Sequence, residues 1–283
     1  MTAYLVYDVF TKTRFGGNQL AVIPDARALP EDDLQQIARE FNFSETTFVY
    51  PPENPAHTAK VRIFTPTMEV AFAGHPTIGT AIALRDQGHS GDMVLELGVG
   101  PIPCSFDGDV ASFVTSAPLE RISKPDTGLV AAALGLPATA IDTAIHAPVQ
   151  ASLGLPFVIV ALDSAASLSA CAPQLDAFRK GARAHPAGLD FAIYAYVRDG
   201  DQIDARMFAP LDDIPEDPAT GSAAATLAGL LTQELDMPQN LTIQQGVDMG
   251  RPSLIMAATK NQRPVPITIS GTALRMMEGR LVT

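Results

Sequence analysis

Between Glu31 and Phe41 the apolar positions Leu34, Ile37, Ala38 and Phe41 recur at three- and four-residue spacing, which predicts an amphipathic helix. Glu31, Asp32 and Asp33 lie at its start, where the positive end of the helix dipole favours negative charge. Thr46–Tyr50 and Val61–Phe64 are short β-branched and aromatic runs separated by the turn-rich Pro51–Pro55, and predict two strands. Thr80–Leu84 and Ser222–Leu231 are runs of small apolar residues, the second almost devoid of charge on every side, so both predict helices buried inside the protein. Alternation from Val265 to Thr283 predicts a terminal strand, expected to return to the first half of the chain.

Part of this pattern occurs twice. Arg62-Ile63-Phe64-Thr65-Pro66 overlays Arg206-Met207-Phe208-Ala209-Pro210 at an offset of 144 residues, matching Arg, Phe and Pro. His75-Pro76-Thr77-Ile78-Gly79-Thr80-Ala81 then overlays Asp217-Pro218-Ala219-Thr220-Gly221-Ser222-Ala223 at an offset of 142. Two matches in the same order point to a duplicated α/β fold. Pro76 and Pro218 suit the first helical position, which puts His75 and Asp217 at the N-caps. The Pro-, Gly- and Ala-rich stretch 119–140 separates the copies, so the expected domains are 1–118, joined by 265–283, and 119–264. If such halves pack about a pseudo-twofold axis, two helix N-termini converge on one crevice, a site for an anion such as a carboxylate.

Composition narrows the partners. The 283 residues are 47% hydrophobic and 18% charged, enough apolar material for a globular protein. With 19 Lys and Arg against 31 Asp and Glu, the net charge of −12 disfavours nucleic acid and anionic membranes. Met1–Phe10 lacks the flank and core of a signal peptide and no apolar run is long enough to span a bilayer, so a cytoplasmic location is expected. Cys104 and Cys171 have neither metal-ligand nor redox-motif spacing and read as buried apolar residues. Phosphate-loop, dinucleotide, zinc-protease and nucleophile-elbow motifs are absent, so neither a cofactor nor a metal is expected.

The candidate residues each carry two readings. Asp217 is a plain helix cap or a ligand group. Histidine caps helices poorly, so His75 is either a satisfied core residue or a proton-exchanging group. Glu45, in Ser44-Glu45-Thr46-Thr47-Phe48, is a solvated strand-edge residue or, if buried, a carboxyl whose neutral form is favoured and which serves as both acid and base. Phe15-Gly16-Gly17-Asn18 is a loop in which Asn18 orients a ligand, or a simple turn. Gly74, Thr220, Gly221 and Ser222 offer backbone and hydroxyl groups to a ligand at the helix starts. A serine nucleophile at Ser222 would need a base beside it, and the sequence establishes none.

Together, Phe15-Gly16-Gly17-Asn18, Ser44-Glu45-Thr46, Phe72-Ala73-Gly74-His75-Pro76-Thr77-Ile78-Gly79, Asp217-Pro218-Ala219-Thr220-Gly221-Ser222 and Gly250-Arg251-Pro252-Ser253 resemble the PhzF-like proteins. The resemblance spans nearly the whole chain. It implies the diaminopimelate-epimerase-like fold: two pseudo-symmetric α/β domains, each a curved, mostly antiparallel sheet round a central buried helix, with the site between them. It also implies a homodimer, and a cofactor-independent isomerase acting on a small carboxylate. By the same resemblance Glu45 shuttles a proton between carbons of a dihydro-hydroxyanthranilate ring. His75, Asp217 and Ser222 bind and polarise the substrate, and Ser44, Gly74 and Asn18 line the site. Gln19 departs from the proline common in the family, which weakens the carry-over at Asn18. Related racemases use a thiol on each half. Ala73 stands at the first thiol's place, which disfavours that chemistry. Two other readings are a carboxylate-binding protein without catalysis and a two-base racemase using His75 and Asp217.

Overall fold

A computed structural model describes residues 1–282, and the chain divides into two units, residues 1–115 with the C-terminal segment from Ile269, and residues 116–268. The first unit runs β1 (Thr2–Val9), β2 (Asn18–Ile23), α1 (Glu31–Phe41), β3 (Glu45–Tyr50), β4 (Ala59–Phe64), β5 (Glu69–Val70), α2 (Gly74–Asp86), β6 (Met93–Leu97), β7 (Gly100–Asp107) and β8 (Val110–Thr115). The second runs β9 (Glu120–Ser123), α3 (Thr127–Ala133), β10 (Ile141–Asp142), β11 (Val149–Ser152), β12 (Pro156–Leu162), α4 (Ala165–Ser169), α5 (Leu175–Ala184), β13 (Ile193–Asp199), β14 (Gln202–Ala209), β15 (Ile214–Asp217), α6 (Gly221–Leu235), β16 (Asn240–Gln245) and β17 (Ser253–Thr259). After β18 (Ile267–Gly271), β19 (Ala273–Leu281) pairs antiparallel with β1 along its whole length, from Thr2 opposite Leu281 to Val9 opposite Ala273.

The mixed α/β, mostly antiparallel architecture expected from the sequence is present, and the duplication extends to strand pairing. In the first unit β2 runs parallel to β3, β3 antiparallel to β4, and β4 takes β5 antiparallel and β6 parallel, with β6 antiparallel to β7. The second unit repeats this order with β12, β13, β14, β15, β16 and β17. The stretch 119–140 is not a bare connection. It contributes β9 and α3, whose start is capped by the Asp126 carboxylate accepting from the Leu129 N–H at 3.1 Å.

Each unit buries one helix completely. Every residue of α2 from Gly74 to Leu84 and of α6 from Gly221 to Thr232 is buried, as helices apolar on all sides must be. Small residues let the sheet close in: a Cβ on Gly79 would lie 2.5 Å from Leu20 Cδ2 and 2.7 Å from Val9 Cγ2. On the opposite faces lie amphipathic helices. Leu34 and Ala38 of α1 pack with Ile23, Phe48 and Phe64, and Phe178 of α5 packs with Phe191, Ile193 and Phe208.

The repeated Arg-x-Phe has the same structural task in both copies. Arg62 bridges both oxygens of Glu69 at 2.8 and 2.7 Å and lies over the Phe64 ring, and Arg206 does the same with Glu216 and Phe208. Arg206 is the more deeply set. Its Nη1 also donates to the carbonyls of Leu168, Ser169 and Cys171, closing the C-terminal end of α4.

The expected N-caps need correction. α2 is capped by Ala73 and begins at Gly74, so His75 and Pro76 are its second and third residues; a missing N–H is harmless anywhere in the first turn. α6 starts later. Asp217 still pairs with Met207 at the end of β15, which keeps the chain extended, and the N-cap is Thr220, whose hydroxyl turns to Asp217 instead of to the helix.

Removing the two arginines should therefore have unequal effects. Arg206→Met strips a mostly buried carboxylate and three carbonyls of their partner and should cost about 2–4 kcal/mol in urea denaturation. Arg62→Met, whose partners are open to water, should cost under about 1 kcal/mol.

Candidate active site

Strand alternation selects the residues that face α2 in the first unit. Phe48 points to α1, so Glu45 and Thr47 point to α2. Thr80 Oγ1 of α2 donates to Thr47 Oγ1 at 3.0 Å, and Thr47 in turn donates to the Ala21 carbonyl at 3.4 Å, fastening helix to strand. Five residues back along α2 stands His75. Its Nδ1 accepts from the Asn18 side-chain amide at 3.3 Å and lies 3.4 Å from Glu45 Oε2. Asn18 is the first residue of β2, set by a tight turn: Gly17 has φ +67°, and a Cβ there would lie 2.4 Å from the Val9 carbonyl oxygen.

This triad is withdrawn from water. The Glu45 side chain is 13% exposed and that of His75 4%. Burial pushes the His75 pKa down to about 3, against a weak opposing pull from the Gln19 backbone. The ring is therefore neutral at ordinary pH, and with Nδ1 accepting from Asn18 its proton sits on Nε2. Nε2 is buried and makes no hydrogen bond of good geometry among the described residues. The His75–Glu45 contact is thus one between a carboxyl group and an uncharged imidazole, an arrangement that can hold and pass a proton. Ser44 precedes Glu45 at the half-buried bend before β3, and Gly74 opens α2, where first-turn N–H groups have no intrahelical acceptor.

In the second unit the turn from β15 into α6 gathers Asp217, Thr220, Gly221 and Ser222, all buried. Thr220 Oγ1 donates to Asp217 Oδ2 at 2.5 Å. A side chain missed in the sequence holds this turn: Gln245 accepts from the Thr220 N–H at 3.1 Å and donates to the Asp217 carbonyl at 2.8 Å and to Thr220 Oγ1 at 3.0 Å. Gly246 follows with φ +74°, and a Cβ there would lie 2.6 Å from the Pro218 carbonyl oxygen. Gln245 lies outside both repeats, so the duplication gave no signal for it.

The register between units also locates what is missing. Glu45 precedes Thr46, which pairs with Phe64, and the matching pair is Ile193 with Phe208, so the counterpart of Glu45 is the buried Ala192. The carboxyl of Glu45 is thus not duplicated. Cys104 and Cys171 are buried, and burial raises their thiols to about 12 and about 11, far from thiolate chemistry at neutral pH. No group of metal-ligating side chains occurs among the described residues, and no helix there is long and apolar enough to cross a membrane.

A family model described as phenazine biosynthesis-like protein, PhzC-PhzF, matches residues 7–279. The chain belongs to this family. Among PhzC-PhzF relatives, it is 36% identical to an uncharacterised isomerase of Mesorhizobium japonicum over 98% of each chain. It is also 36% identical to a trans-2,3-dihydro-3-hydroxyanthranilate isomerase of Pseudomonas aeruginosa over 99% of each. The crystal structure of a PhzF-family protein from Bacillus anthracis shares its fold, with a TM-score of 0.87 at 23% identity, covering 100% of this chain and 99% of that one. PhzC-PhzF membership and isomerase relatives of full length make this chain an isomerase.

Because the native His75 binds its proton only near pH 3 and an unfolded histidine near 6.5, the unfolded state takes up the extra proton between those values. Stability from this group is fully present above about pH 6.5 and is lost as pH falls toward 3. Between pH 6 and 4, wild type should lose about 1 kcal/mol per pH unit more than His75→Gln, as measured by denaturant melts at each pH.

Proposed function

We propose that this isomerase moves a proton on a small unsaturated cyclic carboxylate of the dihydro-hydroxyanthranilate type, with Glu45 as the shuttle. Glu45 takes the proton from one ring carbon as the electron pair left behind shifts the adjacent double bond, and returns it to the carbon at the far end of that system. Atoms and electrons balance within the substrate, so no co-reactant is consumed. Neutral His75, fixed by Asn18, orients the Glu45 carboxyl and polarises the substrate. Asp217 binds the substrate's polar substituents. Thr220, Gly221 and Ser222 in the N-terminal turn of α6 are further substrate-binding groups, as are Ser44, Gly74 and Asn18 in the first unit.

What supports this reading most is the contact of Glu45 with a buried, uncharged His75 at 3.4 Å. A carboxyl in such surroundings is suited to accept and release a proton in turn. The substrate class comes from the Pseudomonas relative's activity. The absence of a second carboxyl at Ala192 favours one shuttle over a pair of opposed bases. A homodimer in the cytoplasm belongs to the same proposal.

Glu45→Gln keeps the shape of the side chain and removes the exchangeable acid. With trans-2,3-dihydro-3-hydroxyanthranilate followed by proton NMR, kcat should fall by about 10²–10⁴-fold. A variant with unchanged kcat would remove Glu45 from the mechanism.

A further inference from the structure

A further difference between the two units bears on ligand binding. By strand register Thr47, opposite Ile63, corresponds to Tyr194, opposite Met207, and by the sequence repeat Thr80 corresponds to Ser222. In the first unit these hydroxyls satisfy each other, Thr80 donating to Thr47 at 3.0 Å. In the second, a phenol replaces the short hydroxyl and carries its oxygen farther from the strand.

Tyr194, Met207 and Asp217 stand opposite one another across β13, β14 and β15, so their side chains share one face. It is the α6 face, because the neighbours Ile193 and Phe208 point into the cluster packed with α5. Tyr194 is fully buried, yet its hydroxyl has no hydrogen-bond partner among the described residues. Burial, and then the nearby Asp217 carboxylate, raise its pKa well above the ordinary phenol range, so it remains a protonated donor at every working pH. Folded proteins rarely leave a buried hydroxyl unpaired, and one beside a candidate binding turn has a ready explanation in a ligand.

We propose that the Tyr194 hydroxyl is a substrate-binding donor, giving its hydrogen bond to a carboxylate oxygen of the ligand held at the Asp217–Ser222 turn. The assignment rests on the isomerase reading above. The hydroxyl serves no internal bond among the described residues, so its cost to the free protein is recovered when the substrate supplies the acceptor.

Tyr194→Phe removes this one oxygen and leaves the packing. Kinetics with trans-2,3-dihydro-3-hydroxyanthranilate and thermal melts with the aromatic analogue 3-hydroxyanthranilate test it together. The free variant should melt at the same temperature as wild type or above it. KM should rise about tenfold or more, as for loss of a hydrogen bond to a charged group, with kcat changed much less, and the analogue should raise the melting temperature of the variant less than that of wild type. Wild-type turnover with unchanged KM and unchanged analogue stabilisation in the variant would overturn the assignment alone. A variant that melts well below wild type without ligand would also overturn it, since the hydroxyl would then be structural. Analogue binding that is weakened in the variant, with no turnover by wild type, would support Tyr194 and refute the reaction. Neither binding nor turnover by wild type would refute both.

Discussion

The arrangement depends on how closely α2 approaches β1 and β2. Gly79 sits against Leu20 and Val9 so tightly that even a methyl group would collide with both, and the helix is thereby drawn onto the strands that begin and neighbour the site. At this separation the Thr80 and Thr47 hydroxyls meet, and His75, five residues earlier than Thr80, comes level with Asn18 at the start of β2 and Glu45 at the start of β3. A larger residue at Gly79 would have to displace the Leu20 and Val9 side chains or the helix itself. Close packing of small residues is thus the means by which three side chains from three elements share one buried place.

Duplication supplied the scaffold twice and the Glu45 carboxyl once. Both units have the same strand order, the same buried helix and the same Arg-Glu-Phe stack on the outer face. They part on the buried-helix side of each sheet and at the approach to each buried helix. Glu45 has Ala192 as its counterpart, His75 has Asp217, and Thr47 has Tyr194. In the proposed mechanism the first unit supplies the proton-handling group, Glu45. The second carries an anion-suited helix start braced by Gln245, which bonds the turn at both ends.

Elements whose identity rests on local pattern were legible from the chain: α1 from its apolar spacing, β3 and β4 from β-branched runs, and α2 and α6 from the absence of charge. The repeat revealed the duplication because Arg62 and Arg206 must both meet a glutamate on a neighbouring strand. Helix starts were not legible to the residue, because β15 pairs with β14 and so delays α6 past Asp217. Gln245 and Tyr194 were hidden for a related reason. Each acts through neighbours brought close by strand pairing, and neither lies in a motif that composition or spacing marks. The chemical types at Glu45, His75 and Asn18 could be named in advance, but their convergence depends on Gly79, whose role appears only once the helix is packed.

In the proposed mechanism one carboxyl carries the proton between two carbons. Substrate bearing deuterium at the carbon that loses its hydrogen, turned over in ordinary water for less than one full conversion, distinguishes the possibilities by mass spectrometry of the product. Because the Glu45 side chain is largely shielded from solvent, a measurable fraction of the deuterium should reappear on the receiving carbon. Product formed at full rate with no deuterium at that carbon from the earliest time points would contradict it, since the receiving carbon would then be drawing its proton from a separate acid.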